Sequence, residues 1–79
     1  MSKVEDKEAI NKLKNIFEKL LNIKINKFDQ LVFGKSKNWD SLKHLEIIIN
    51  IEKEFSIRVK TSDISKLKSF TEIKKYIFN

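Results

Sequence analysis

A chain of 79 residues can build one small core; with no Cys and a single His, His44, it excludes disulfides and thiolate metal sites and argues against a zinc centre. Its composition, 41% hydrophobic and 35% charged, suits a globule rather than a disordered tail, and no apolar run approaches the roughly 18 residues of a membrane span. The net charge of +6 comes mostly from scattered Lys with one Arg, Arg58, so it reads as surface solvation rather than as an Arg-rich nucleic-acid face.

Residues from about 4 to 21 place Ile10, Leu13, Phe17, Leu20 and Leu21 at alternating three- and four-residue spacing, with Ile16 beside them. That spacing predicts an amphipathic first helix, and Glu8 and Lys12 stand four apart in the favourable order. The opening MSKVEDKEAI lacks the apolar stretch of a signal peptide, so a cytoplasmic location is expected.

Residues 22–39 lose the period. Asn22, Asn26, Gly34, Ser36 and Asn38 are turn formers, whereas Ile23, Ile25, Phe28, Leu31 and Phe33 are too apolar for a free linker. A long loop whose apolar residues lie across the bundle is expected.

Asp40 and Ser41 open a second helix, and either can cap it. Leu42, Leu45, Ile48, Ile49 and Phe55 follow, with Ile47 and Ile51 broadening the apolar face, which predicts a central helix buried along more than half its circumference. Lys43, His44, Glu46, Asn50 and Lys53 form its polar strip, with His44 as an ordinary exposed residue. Trp39, just ahead, reads as an apolar anchor for the helix entrance, in the manner of a hydrophobic staple.

SIRVK, residues 56–60, alternates briefly and reads as an extended link. Thr61, Ser62 and Asp63 can cap one short turn holding Ile64 and Leu67. Ser69 and Glu72 make a capping box for a last helix that buries Phe70, Ile73 and Ile77, with Tyr76 beside them. The expected core is Ile10, Leu13, Phe17, Leu45, Ile48, Ile49, Phe55, Leu67, Phe70 and Ile77. The reading is an all-α, four-helix bundle in one domain, 1–79, with a long loop between helices one and two and a short third helix.

Little here can do catalysis. There is one His, no Cys, no Gly-rich phosphate loop and no defensible Ser-His-Asp set, so an enzyme is not expected. The informative segment is Asn38-Trp39-Asp40-Ser41-Leu42, which resembles the Asp-Ser-Leu attachment motif of acyl and peptidyl carrier proteins. The resemblance continues through LEIIINIEKEF, Ile57-Arg58-Val59, the short capped turn ending at Leu67 and the final helix, and so spans Asp40 to Ile77 without a gap; before Asp40 it is looser.

The resemblance implies a 4′-phosphopantetheine arm, covalently attached at Ser41 and derived from coenzyme A. It implies that Asp40 takes part in the loading reaction and that Leu42 meets the arm or partner enzymes. A Ser at a helix N-terminus suits this, since the first-turn amides and the helix dipole favour a phosphodiester. The implied partners are a phosphopantetheinyl transferase and enzymes that load and transfer acyl or aminoacyl groups, with no nucleic acid and no membrane span; a monomer is expected. Lys43 and Glu46 are the candidate partner-binding residues. Ile48, Ile51, Val59, Ile64 and Leu67 are expected nearest any space that shelters an acyl chain.

The chain also departs from the family. Members are typically acidic, whereas Lys43 and Lys53 stand here where acids are common, and Asn38 stands where Gly is frequent. A specialised pathway, such as modification of surface sugars, a secondary metabolite or a lipid variant, is therefore expected in place of general fatty-acid synthesis. Two alternatives remain at this level: an unmodified carrier-like interaction subunit and a small basic nucleic-acid-binding bundle.

Overall fold

A computed structural model describes residues 7–78. Its elements are α1 (Lys7–Leu21), a 3₁₀ turn (Phe28–Gln30), α2 (Ser41–Phe55), α3 (Thr61–Ile64) and α4 (Phe70–Phe78). The described residues form an all-α bundle with no β-strand. Residues 4–6, expected in the first helix, lie outside the described residues.

Helix α1 buries Leu13, Phe17 and Leu21 on one stripe, as the spacing predicts. It stops at Asn22, whose left-handed φ of 56° turns the chain away while its N–H still donates to Glu18 O at 2.9 Å. Asn38 Nδ2 donates to the last carbonyl of the helix, Leu21 O, at 2.7 Å. The long loop is thereby tied to the end of α1.

The loop is structured along its length. The 3₁₀ turn at Phe28–Gln30 was not foreseen from the residues. Beyond it, Val32 pairs with Ser69 as an isolated antiparallel bridge; Phe33 N donates to Lys68 O at 2.7 Å and Phe70 N to Leu31 O at 3.3 Å. Gly34, at φ 85°, makes the left-handed step that bends the loop back, and its N–H donates to Trp39 O at 3.0 Å. The result is a loop that delivers Ile25, Leu31 and Trp39 into the core.

Helix α2 ends at Ser56, another left-handed cap at φ 54°. Val59 N then donates to Glu52 Oε2 at 2.8 Å, fastening the link back onto α2. The expected capping box of α4 is present: Glu72 N donates to Ser69 Oγ at 3.1 Å, while Glu72 Oε1 reaches the N–H of Lys68, one residue upstream of the usual partner, at 3.0 Å.

Leu13, Phe17, Ile48, Leu67 and Phe70 are buried as expected, joined by Leu21, Ile47, Ile51, Val59 and Ile73. Phe17 meets Trp39 and Phe70 edge-on, both with ring centroids 5.2 Å apart. Phe55 and Ile77 pack at the margin of this cluster, and Ile10 is half-buried. Two core expectations are overturned: Leu45 and Ile49 are each 49% exposed. The apolar residues of α2 run around more than half its circumference, yet the bundle covers only the side carrying His44, Ile47, Ile48 and Ile51. Leu42, Leu45 and Ile49 form a separate strip that faces outward.

Candidate functional site

The entrance of α2 is set by three consecutive residues. Asn38 takes a left-handed φ of 68°, which Asn tolerates better than most side chains. Trp39 follows, almost completely buried. Asp40, in extended conformation, then caps the helix by accepting from Lys43 N at 2.9 Å. Of the two capping candidates, it is Asp40 that serves.

Ser41 is consequently released from any capping duty. It is the first helical residue, exposed, and its hydroxyl makes no hydrogen bond among the described residues. The amides of Ser41 and Leu42 belong to the orphan donors of the first turn, since Asp40 takes only the Lys43 amide and Asp40 O takes that of His44. A phosphodiester on Ser41 Oγ would find free donors and the positive end of the helix dipole beside it.

Against expectation, His44 is buried, only 4% exposed. Its Nδ1 accepts from Trp39 Nε1 at 3.1 Å and its Nε2 lies 2.8 Å from Ile64 O in α3. Indole N–H only donates and a carbonyl only accepts, so the ring carries its proton on Nε2. Phe33 stacks on the imidazole, with centroids 4.6 Å apart and planes 14° from parallel. Trp39 and His44 occupy the two positions of a hydrophobic staple, N′ and N4, and add a hydrogen bond to the usual apolar contact. The anchoring role expected for Trp39 fits this geometry, with His44 turned inward instead of lying on the polar strip.

Leu42, 64% exposed, leads the outward strip, with Leu45 and Ile49 one and two turns on. Lys43 Nζ and Glu46 Oε1 pair at 3.2 Å beside it. The two residues expected to face partners are thus brought together next to Ser41. The other acids of α2 are engaged elsewhere: Glu52 holds Val59 N, and Glu54 lies 3.7 Å from Lys12 Nζ of α1. Ile48, Ile51, Val59 and Leu67 are buried in one cluster with half-buried Ile64 packed against it. No group of three or more metal-ligating side chains occurs among the described residues, and no described helix is long and apolar enough to cross a membrane.

The chain is similar to curated proteins over most of its length. The acyl carrier protein of Buchnera aphidicola subsp. Schizaphis graminum (strain Sg) is 38% identical over 69 residues, covering 86% of this chain and 87% of the relative. The acyl carrier protein of Brachyspira hyodysenteriae (strain ATCC 49526 / WA1) is 33% identical over 70 residues, covering 86% of this chain and 90% of the relative. No family model matches the chain. No solved structure matches it.

Proposed function

The chain belongs to the acyl carrier protein family, and on that premise we propose that Ser41 bears a 4′-phosphopantetheine arm from coenzyme A, on which acyl or aminoacyl groups are held and presented to separate enzymes. An acyl carrier role makes the protein a carrier rather than an enzyme, working with biosynthetic enzymes that act on its cargo. The bound arm supplies the thiol for thioester formation, a group this Cys-free chain lacks.

The observation that carries the proposal is the division of labour at Asp40 and Ser41. Because Asp40 caps the helix, the Ser41 hydroxyl is exposed and free to be modified without loss of a structural bond. The orphan amides of Ser41 and Leu42 suit the phosphate, and Leu42 offers an apolar surface beside the arm. Asp40, one residue before the attachment point, also presents a carboxylate to the transferase. The cluster of Ile48, Ile51, Val59, Ile64 and Leu67 is the place where a carried chain would shelter between α2 and α3.

Partner choice follows from charge and shape together. Residues 40–55 carry Asp40, Glu46, Glu52 and Glu54 against Lys43 and Lys53, a net charge of −2 in a chain of net +6. Glu46 and the strip of Leu42, Leu45 and Ile49 form the surface offered to loading and transferring enzymes. Lys43 selects a dedicated partner that places an acid opposite it, and repels enzymes adapted to acidic carriers. A specialised pathway in the cytoplasm, served by a monomeric carrier, fits this arrangement. The direct test is transfer of a fluorescent coenzyme A arm by a phosphopantetheinyl transferase. Wild type labels and Ser41→Ala does not; a wild type refractory to several transferases favours an unmodified interaction subunit.

A further inference from the structure

His44 is a buried, hydrogen-bonded imidazole for which arm attachment gives no use. It stands three residues after Ser41, about 4.5 Å along the helix axis, and its Nε2 reaches across to Ile64 O, the last carbonyl of α3. We infer that His44 is the gate of the α2–α3 seam: its bond to Ile64 O holds α3 closed, and so sets how readily a chain carried on Ser41 withdraws between the helices. This inference rests on the attachment and sheltering reading given above.

The argument begins with the length of α3. Four residues, Thr61–Ile64, are too few to persist as an isolated helix, so outside bonds hold it in place. Among the described residues three side chains do so. Tyr76 OH donates to Asp63 Oδ2 at 3.0 Å, which ties α3 to α4. Glu52 holds Val59 N at 2.8 Å, at the link that enters α3, where it acts as a hinge anchor. Only His44 ties the body of α3 to α2 by a side-chain hydrogen bond. Behind this bond Ile48, Ile51, Val59 and Leu67 are all buried, so a chain that reaches them from Ser41 must displace α3.

The ring is also built to stay behind when α3 moves. Trp39 holds Nδ1 from the loop side and Phe33 stacks on the imidazole. Opening therefore breaks the His44 Nε2 bond to Ile64 O, a carbonyl that also accepts the Leu67 amide at 3.3 Å, and leaves the Trp39–His44 pair intact. The closed state is favoured by one polar bond, and the opening is local rather than global.

Two substitutions divide the two halves of the ring while removing the same stacking surface. His44→Asn keeps an oxygen near Nδ1 for Trp39 but falls short of Ile64 O; His44→Gln extends an amide donor to Ile64 O and gives up Trp39. In the unmodified full chain, amide hydrogen exchange at Ile64 and Leu67, which donate to Lys60 O and Asp63 O, is expected to quicken on the order of tenfold in His44→Asn relative to α1 amides. It is expected to change little in His44→Gln. After octanoyl loading on Ser41, the Asn variant should show the larger shift changes at Ile51, Val59 and Leu67. Equal exchange in both variants, with sheltering intact, overturns the role of His44. Failure of Ser41 to load, or an octanoyl group that leaves Ile51, Val59 and Leu67 unmoved, overturns the sheltering reading and the gate with it. Should the Asn variant not fold, wild type decides alone: octanoyl entry must move the His44 Nε2–H resonance, and one that stays fixed while Ile51 and Val59 shift overturns the gate.

Discussion

Asp40 Oδ1 accepts the amide of Lys43 at 2.9 Å, so the cap of α2 and its neighbouring Ser41 hydroxyl belong to different residues. Ser41→Ala should therefore change stability by less than about 0.5 kcal/mol, whereas Asp40→Ala should cost about 0.5–2 kcal/mol. Urea denaturation followed by circular dichroism compares the two. A larger loss for Ser41→Ala than for Asp40→Ala would assign the cap to the serine.

Asp40→Asn separates capping from chemistry. Asn caps a helix about as well as Asp, so melting should stay within about 0.5 kcal/mol of wild type while arm transfer slows. Transfer at the wild-type rate would restrict Asp40 to the cap.

The buried core and the outward strip of α2 should respond differently to truncation. Phe70, buried against Phe17 and Phe28, should cost about 3–5 kcal/mol on change to Ala, enough to unfold so small a domain. Leu45→Ala and Ile49→Ala, each on a half-exposed residue, should cost about 1 kcal/mol or less. Phe55→Ala should fall between, since its ring sits at the margin against Phe78. Denaturation midpoints rank these variants. A loss at Leu45 matching that at Phe70 would return the strip to the core.

This contrast marks how far the residues alone could be read. The caps of α2 and α4 are legible because they rest on local chemistry, Asp40 three residues before the Lys43 amide and Ser69 three before Glu72; at α3 the expected cap fails, since Thr61, Ser62 and Asp63 lie inside the helix and Lys60 precedes it without a side-chain cap. The core positions of α1 were legible because its apolar stripe is bounded by Lys and Asn. In α2 that boundary is missing. Leu42, Leu45 and Ile49 are as apolar as Ile47, Ile48 and Ile51, and no local rule says which set α1 and α3 will cover. His44 reads as exposed because it is polar; the usable signal is its register with Trp39, N4 against N′. The pairings of Val32 with Ser69 and Asn38 with Leu21 join residues distant in the chain, so no local pattern announces them.

Lys43 and Glu46 form a partly exposed surface pair, worth about 0.2–1 kcal/mol. Lys43→Glu should leave melting nearly unchanged. With an enzyme adapted to acidic carriers, it should raise kcat/KM for loading, and the gain should shrink at high salt. An unchanged or lower kcat/KM would make Lys43 an ordinary solvated lysine.

The central claim, a single arm on Ser41, is tested most directly by the intact mass of the protein after incubation with a phosphopantetheinyl transferase and coenzyme A. The account predicts one phosphopantetheine addition to wild type and none to a Ser41→Ala variant that keeps wild-type helicity and melting. An addition that persists on the Ala variant would contradict it.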